Sequence, residues 1–386
     1  MGLFSRNIFQ SRPKLVLLVD VPSGSVSASL ALAYGKKVHL SAIATSSSSV
    51  LKRPLRLALR ASLEALSRDI HQNQLPLPKE AVVLFTSPSY RSATEIIRYE
   101  ETSDFKITPE LVQKLLDAHY EKVSSKEVIS EAHLIGTVVN GYRTQEPYGL
   151  FGKTLELFVL KSSLEEKSAS TVRDEIGKFF HVPVYLEPFA LALGVSLRQA
   201  SPALEKGAHL VIHMSSRATE MLFFEEGILL ESASFPVGSQ DLLTSIGRSL
   251  RTTLQVLKDK LRLSYKGHGK LSADILRISG REWASLFEKA GEMLIERSPH
   301  PDGVTLIAPE EVLLPLESLI KESFLFHRGG RRGLPMVSLN GDSLKRAVVF
   351  PGGNIDGALG VSALFAHTHR EPLFLSTGSE RKPVLG

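Results

Sequence analysis

The first residues with chemical potential lie in a short polar loop that follows an apolar run. Asp20 ends that run, and Pro22, Ser23, Gly24 and Ser25 follow it. Successive backbone N–H groups in such a turn form a concave site for an anion, and a carboxylate beside it can orient hydrated magnesium. The loop is therefore a candidate anion site next to Asp20. Pro22, however, has no N–H to donate, and a role in capping the turn explains Asp20 equally well.

A second polar loop follows the apolar residues near position 211. It contains His213, Ser215, Ser216 and Arg217. The hydroxyls and the guanidinium are suited to phosphate, but no carboxylate is present to hold a metal. The loop also lacks glycine, which would let the backbone approach a ligand closely. A histidine at the end of an apolar strand is more often packed and hydrogen-bonded than a ligand.

Composition excludes several other chemistries. Cysteine is absent, which removes disulfides, zinc–thiolate sites and thiol nucleophiles. Nothing resembles a Walker-type loop or a Ser-His-Asp nucleophile. The net charge of +5 comes from basic residues spread along the chain, so nucleic-acid binding is not expected. Since no window approaches the length of a membrane-spanning helix, we expect a cytoplasmic protein.

The elements that position these loops follow from hydrophobic periodicity. Two apolar runs flank the first loop and predict a hairpin of buried strands. Thr108, Pro109 and Glu110 have the order of a helix start. The pattern predicts strands at Leu15–Val19, Val26–Ala33, Val82–Phe85, His133–Val139, Leu155–Leu160, Val184–Leu186, Leu210–Ile212, Glu220–Phe224 and Ile228–Phe235. It predicts helices at Leu55–Ile70, from Pro109 through Leu116, and at Ser168–Phe180 and Glu282–Arg297.

Four stretches, met in order, resemble motifs of the FtsA-like and PilM-like actin-like ATPases. They are Val19–Val26, Asn140–Glu156, Glu187–Gly194 and Val211–Glu220. The stretch with Pro147, two spaced glycines and a Leu-Glu pair is the most discriminating, and it is similar to the inserted subdomain of FtsA. The resemblance implies an α/β, actin-like (ribonuclease H-like) fold of two lobes with an inserted SHS2-like α+β subdomain.

The same resemblance implies a division into domains. An N-terminal tail covers 1–13, and a first lobe covers 14–90 with completing segments near 181–204 and 340–368. The insertion covers 91–180, the second lobe 205–339 and a C-terminal tail 369–386.

The resemblance further implies ATP and magnesium between two phosphate loops and an adenosine loop. The positions that match are Asp20, Ser23, Gly24, Ser25, Ser215, Ser216, Arg217, Ala308 and Glu310, with Asp20 facing the metal. Several glycines of the family motif are replaced, among them those at Ala308 and Glu310. A second placing of the adenosine loop, at Phe350–Asn354, keeps two glycines. We therefore expect a degenerate ATPase with little or no hydrolysis.

Two functions follow from the resemblance. One is an FtsA-like adaptor in cell division, which would bind an FtsZ-like cytoskeletal protein, assemble into rows of copies and attach to the inner face of the membrane. The other is a PilM-like component of a type IV pilus or secretion machine, which would bind a peptide of an inner-membrane protein. The apolar residues within Met1–Phe9 are a candidate membrane contact, whereas loose order of a chain terminus explains them as well.

Overall fold

The computed structural model contains three β-sheets with helices packed on them. It describes residues 14–34, 37–47, 55–120, 128–144, 146–200, 206–265, 272–296, 298–323, 334–339, 341–344, 347–350 and 357–368. The predicted tails and the glycines of the second adenosine-loop placing lie outside these residues. None of the helices in the described ranges combines the length and the apolar character needed to cross a bilayer.

The strands are short apart from two in the middle of the chain. They are β1 (Lys14–Val21), β2 (Ser25–Tyr34), β3 (Lys37–Ser47), β4 (Glu80–Phe85), β5 (Tyr90–Lys106), β6 (Val128–Val139), β7 (Tyr142–Thr144), β8 (Phe151–Glu165), β9 (Val184–Pro188), β10 (Ala208–Met214), β11 (Thr219–Glu225), β12 (Ile228–Phe235), β13 (Gly303–Ile307), β14 (Met336–Ser338) and β15 (Val348–Val349).

The helices follow strands singly except for α5 to α8, which follow one another. They are α1 (Leu55–Gln72), α2 (Pro109–Tyr120), α3 (Glu166–Phe179), α4 (Phe189–Ala200), α5 (Ser239–Ser249), α6 (Leu254–Tyr265), α7 (Ala273–Ser279), α8 (Arg281–Ile295), α9 (Glu310–Glu322), α10 (Gly341–Leu344) and α11 (Gly357–Thr368).

The first lobe is built on a six-stranded sheet in the order β15-β3-β2-β1-β4-β9. Strand β1 runs antiparallel to β2 and parallel to β4. Its residues from Leu15 to Val19 are all apolar and buried, because the strand lies in the middle of the sheet, covered on both faces. Helix α1 packs against β2 and β3 with residues at helical spacing, including Leu59, Leu63 and Leu66.

The second lobe is built on a five-stranded sheet in the order β12-β11-β10-β13-β14. Strands β10, β11 and β12 form an antiparallel meander, and β10 runs parallel to β13. One core of this lobe surrounds the buried indole of Trp283, which stacks on Phe287 with ring centroids 4.8 Å apart. The polar loop after β10 and the end of β13 both lie at the same edge of this sheet, because the two strands are parallel neighbours.

The third sheet has the order β5-β8-β6-β7 and stands in the chain between β4 and β9 of the first lobe. Helices α2 and α3 accompany it, and we call the segment from β5 to α3 the inserted module. Each predicted strand and helix corresponds to an observed element, although the helices predicted to end at Phe180 and Arg297 end at Phe179 and Ile295. Strand β3 and the 17-residue β5 were not predicted. The inserted module is therefore a helix-flanked sheet with one more long strand than the sequence pattern indicates.

Candidate functional site

The two polar loops lie against each other. The Ser23 and Ser215 hydroxyl oxygens are 2.7 Å apart, close enough for a direct hydrogen bond. The backbone N–H of Arg217 donates to the Ser23 oxygen at 3.2 Å. Groups that would face the phosphates of a nucleotide are therefore bonded to each other across the space between the lobes.

Two glycines allow this close approach. Gly24 has a φ of +97°, and a Cβ there would lie 3.0 Å from the Ser216 side chain. A Cβ at Gly238 would lie only 2.4 Å from the Arg217 nitrogen and 2.5 Å from the Ser216 carbonyl carbon. Space that glycine usually leaves for a ligand is thus filled by the neighbouring loop.

The loop between β10 and β11 also accepts hydrogen bonds from the N-terminus of α5. The N–H groups of Ser239 and Gln240 donate to the carbonyl oxygens of Ser215 and Ser216, each at 2.9 Å. The N–H of Gly238 donates to the Asp241 carboxylate at 3.0 Å. Because free N–H groups make a helix N-terminus attractive to an anion, their use here removes that attraction.

Asp20 is buried near the end of β1, and its carboxylate contacts helix α11 of the same lobe. The Ser362 hydroxyl of α11 donates to its carboxylate at 2.5 Å. Among the described residues no group of three or more histidine, aspartate and glutamate side chains is placed to hold a metal ion. The hydrogen bond from Ser362 ties β1 to α11.

The predicted adenosine loop lies between β13 and α9. Ala308 is buried at the end of the strand, and Glu310 begins the helix next to Glu311. The Glu311 carboxylate lies 3.5 Å from the Lys258 ammonium and 3.8 Å from the Arg262 guanidinium, both on α6. These ion pairs join α6 to the first turn of α9.

Nucleotide and magnesium do not fit the residues in this arrangement, because the phosphate loops are hydrogen-bonded together and the space beside the two glycines is filled. Ser25 belongs to β2 and continues the hairpin after the first loop. Of the residues predicted from the sequence, Ser23, Gly24, Ser215, Ser216 and Arg217 are thus brought together across the lobes. Asp20 contacts Ser362, and Ala308 and Glu310 lie between β13 and α9.

A buried polar network that the sequence did not reveal lies beside this junction. His213 Nδ1 is 3.0 Å from one carboxylate oxygen of Glu220, directly across the β10–β11 pair. The other Glu220 oxygen accepts the Ser87 N–H at 2.7 Å. The Ser87 hydroxyl is 2.7 Å from that of Ser234 on β12. Since Ser87 follows β4, the network joins the first lobe to the second.

Tyr90 extends the network into the inserted module. Its hydroxyl oxygen accepts the N–H of Ala190 at 3.2 Å. Burial raises the pKa of the Tyr90 phenol well above its ordinary value, and the nearby Glu220 carboxylate raises it further. The phenol therefore stays neutral at any physiological pH and acts as a fixed hydrogen-bonding group.

A shallow crevice of about 20 Å³ lies between the first sheet and β8 of the inserted module. Its lining comprises Phe85, Tyr90, Ser162, Ser163, Leu164, Leu186, Glu187 and Pro188. Glu187 also lies 3.5 Å from His133 Nε2, and both side chains are buried. The wall of the crevice is mostly apolar, with a few polar groups.

No protein-family model matches the sequence, and a search of the curated proteins finds no significant match. Solved structures do match. The structure described as "PilM-PilN type IV pilus biogenesis complex" aligns with a TM-score of 0.61 and 14% identity over 91% of this chain and 98% of that chain.

Two other structures align less closely. A Bacteroides thetaiotaomicron protein with actin-like ATPase fold and unknown function has a TM-score of 0.42 and 10% identity over 95% of this chain and 99% of its own. The ethanolamine utilization protein EutJ from Carboxydothermus hydrogenoformans has a TM-score of 0.46 and 11% identity over 93% and 91%. At such identities likeness shows the fold alone, and the chain has the actin-like fold.

Proposed function

We propose that this protein is a protein-binding scaffold whose actin-like fold works without a nucleotide. The observation that carries this proposal is the direct contact between the two phosphate loops, with Ser23 bonded both to Ser215 and to the Arg217 N–H. A bound nucleotide would have to break those bonds and displace the loop from Gly238. Hydrolysis would also need a placed metal and water, for which Asp20 is already committed to Ser362.

A titration with labelled ATP and magnesium tests whether the protein binds a nucleotide. We expect no saturable binding to the purified protein at micromolar ATP. Saturable binding that is abolished by Asp20→Ala would overturn the proposal, because Asp20 would then act on the metal. Saturable binding that Asp20→Ala leaves intact would also overturn it and would place the ligand elsewhere.

For the partner, we propose a PilM-like role in which the chain binds a short segment of an inner-membrane protein, as a PilN-like partner would supply. The support is the alignment over nearly the whole length of both chains in the PilM-PilN complex, together with the crevice beside Tyr90. Leu164 and Leu186 line the crevice, which would have to widen to admit an aliphatic or aromatic side chain of the segment. The protein would then be recruited to the inner face of the membrane by its partner.

Fluorescence anisotropy with a labelled cytoplasmic segment of the PilN-like protein from the same genome tests this role. Ser163→Trp fills the crevice and is expected to weaken binding by at least about tenfold. Ser170→Trp, at a partly exposed position on α3 away from the lining, is the matched control and should bind like the wild type. Wild-type protein that fails to bind the segment contradicts the PilM-like role.

The exposed end of the third sheet favours a second candidate, the FtsA-like adaptor. Tyr142, Tyr148, Leu150 and Phe151 are between 43% and 79% exposed there, at the Pro147–Glu156 stretch. Clustered exposed apolar side chains mark interaction sites on soluble proteins. Binding of an FtsZ-like protein, or assembly into rows of copies, that is lost in Phe151→Ser and unaffected by Ser163→Trp would support this role over the first.

A further inference from the structure

The inserted module contacts the second lobe at the β11–β12 hairpin. Gly136 of β6 lies against Ile228 of β12, and a Cβ at Gly136 would stand 2.3 Å from the Ile228 Cδ1 atom. Ile228 and Leu229 belong to the same buried cluster as Ile135 and Phe158 of the module. The two parts are therefore packed without a gap at this point, as in a protein interior.

Hydrogen bonds extend this contact along β5 and β12. The Thr94 hydroxyl donates to the Leu229 carbonyl at 2.8 Å. The Ser232 hydroxyl donates to the Ser92 carbonyl at 3.2 Å. Both bonds join a side chain of one part to the backbone of the other, so sliding of the hairpin over the sheet would break them.

Arg143 of β7 holds the tip of the hairpin. Its guanidinium lies 2.9 Å from the Glu225 carboxylate and 3.0 Å from the Glu226 carboxylate. The same group donates to the Glu225 backbone carbonyl and stands 5.9 Å from the centre of the Phe158 ring. One partly buried arginine thus uses several of its donors on the two residues that begin the turn.

The module is fastened to the first lobe as well. Glu175 of α3 is fully buried and lies 2.6 Å from Arg56 and 2.9 Å from Arg60, both on α1. Burial alone would raise the pKa of Glu175, but its hydrogen bonds to Arg60, Lys178 and Arg56 hold the pKa at about 2. The carboxylate is therefore ionised, and the link to α1 is intact at any physiological pH.

We propose that the inserted module is a clamp that fixes the angle between the two lobes. It grips α1 of the first lobe through Glu175 and the β11–β12 hairpin of the second lobe through Arg143, Thr94 and Gly136. Hinged lobes normally close around a ligand in the cleft between them. A clamp outside the cleft replaces that motion with a single rigid arrangement, which presents a constant surface to a partner.

Spin-label distance measurements test the clamp directly, and the absence of native cysteine simplifies labelling. Ala65→Cys on α1 and Ser285→Cys on α8 place labels at exposed positions, one on each lobe. We expect a narrow distance distribution in the otherwise wild-type chain. In Arg143→Ala, the distribution should roughly double in width because the lobes gain a hinge motion. Adding Thr94→Val to this variant should broaden the distribution further.

Arg98→Ala is the matched control, since Arg98 makes an exposed ion pair with Glu156 inside the module, 3.0 Å long. That variant should keep the narrow distribution. A broad distribution in the wild type, or an Arg143→Ala distribution as narrow as the wild type, overturns the proposal. If Arg143→Ala does not fold, Thr94→Val alone decides by the same criterion. Nucleotide is omitted throughout, so the result is independent of the ATP titration.

Discussion

Replacement of Gly238 by alanine offers a sharp test of the contact between the phosphate loops. Gly238 has φ −125° and ψ −167°, an extended conformation that alanine adopts readily. The substitution therefore acts only through space. The new Cβ would stand 2.4 Å from the Arg217 nitrogen, where ordinary contact begins at 3.4 Å. The loop containing Arg217 must consequently move by about 1 Å, since backbone atoms cannot rotate out of the way.

The cost follows from the bonds that such a shift breaks. The N–H groups of Ser239 and Gln240 would lose their 2.9 Å bonds to the loop carbonyls, each contributing about 0.5–1.5 kcal/mol. Residual crowding in a packed site adds about 1–3 kcal/mol. We therefore expect Gly238→Ala to lower the free energy of unfolding by about 2–6 kcal/mol.

Urea denaturation, followed by Trp283 fluorescence and far-ultraviolet circular dichroism, measures this change. Trp283 is the single tryptophan and is buried in the second lobe, so its emission reports on the lobe that contains Gly238. Gly177→Ala is the control, because Gly177 lies in α3 with open space around its Cβ position. That change should stabilise the helix by up to about 1 kcal/mol. A Gly238→Ala protein within about 0.5 kcal/mol of the wild type would refute the reasoning.

Three further predictions concern stability elsewhere in the chain. The carboxylate of Glu175 has a pKa of about 2, below the ordinary 4.5, so its stabilisation is present above pH 4.5 and disappears as the pH falls through 2. Glu175→Gln should therefore be less stable than the wild type by about 1–3 kcal/mol at pH 6 and equal to it near pH 2, whereas Glu64→Gln, in an exposed pair, should change little at either pH. A pH-independent difference measured by urea denaturation would contradict this. Gly291 lies inside α8 and beside an apolar cavity. Because alanine favours a helix more than glycine does, Gly291→Ala should raise the free energy of unfolding by about 1 kcal/mol. A loss of stability in the same assay would show that the cavity has no room for the new methyl group. Thr219→Val removes the hydroxyl that accepts the Trp283 indole N–H at 3.0 Å, so we expect a loss of about 1–3 kcal/mol and an altered emission spectrum of Trp283; an unchanged spectrum would argue against that bond.

The fold class was predictable because four stretches, met in order along the chain, resemble motifs of actin-like proteins. Strand β5 was missed for a physical reason. Most of its residues are exposed and many are charged, as in the stretch around Glu100 and Glu101, so it lacks the apolar signal of a buried strand. Strand β3 did carry a signal, since Val38, Leu40 and Ala42 are buried on alternate positions.

The candidate site was only partly predictable. The sequence singles out Ser23 and Ser215, but these residues are 192 positions apart, and no local pattern indicates that they bond to each other. The pairing of His213 with Glu220 was within reach, because a hairpin register places the two residues directly opposite. Tyr90 and Arg143 gave no sequence signal, as their roles depend on how the inserted module packs against the rest of the chain.

The largest buried cluster draws side chains from all three sheets. Val19 comes from the first lobe, Phe158 from the inserted module, and Leu222 and Phe224 from the second lobe. Cutting the chain between these parts would expose apolar surface that none of the fragments can cover alone, so isolated lobes should be insoluble. Partner mapping by truncation would then report misfolding in place of lost contacts, and point substitutions in the intact chain are the sounder route.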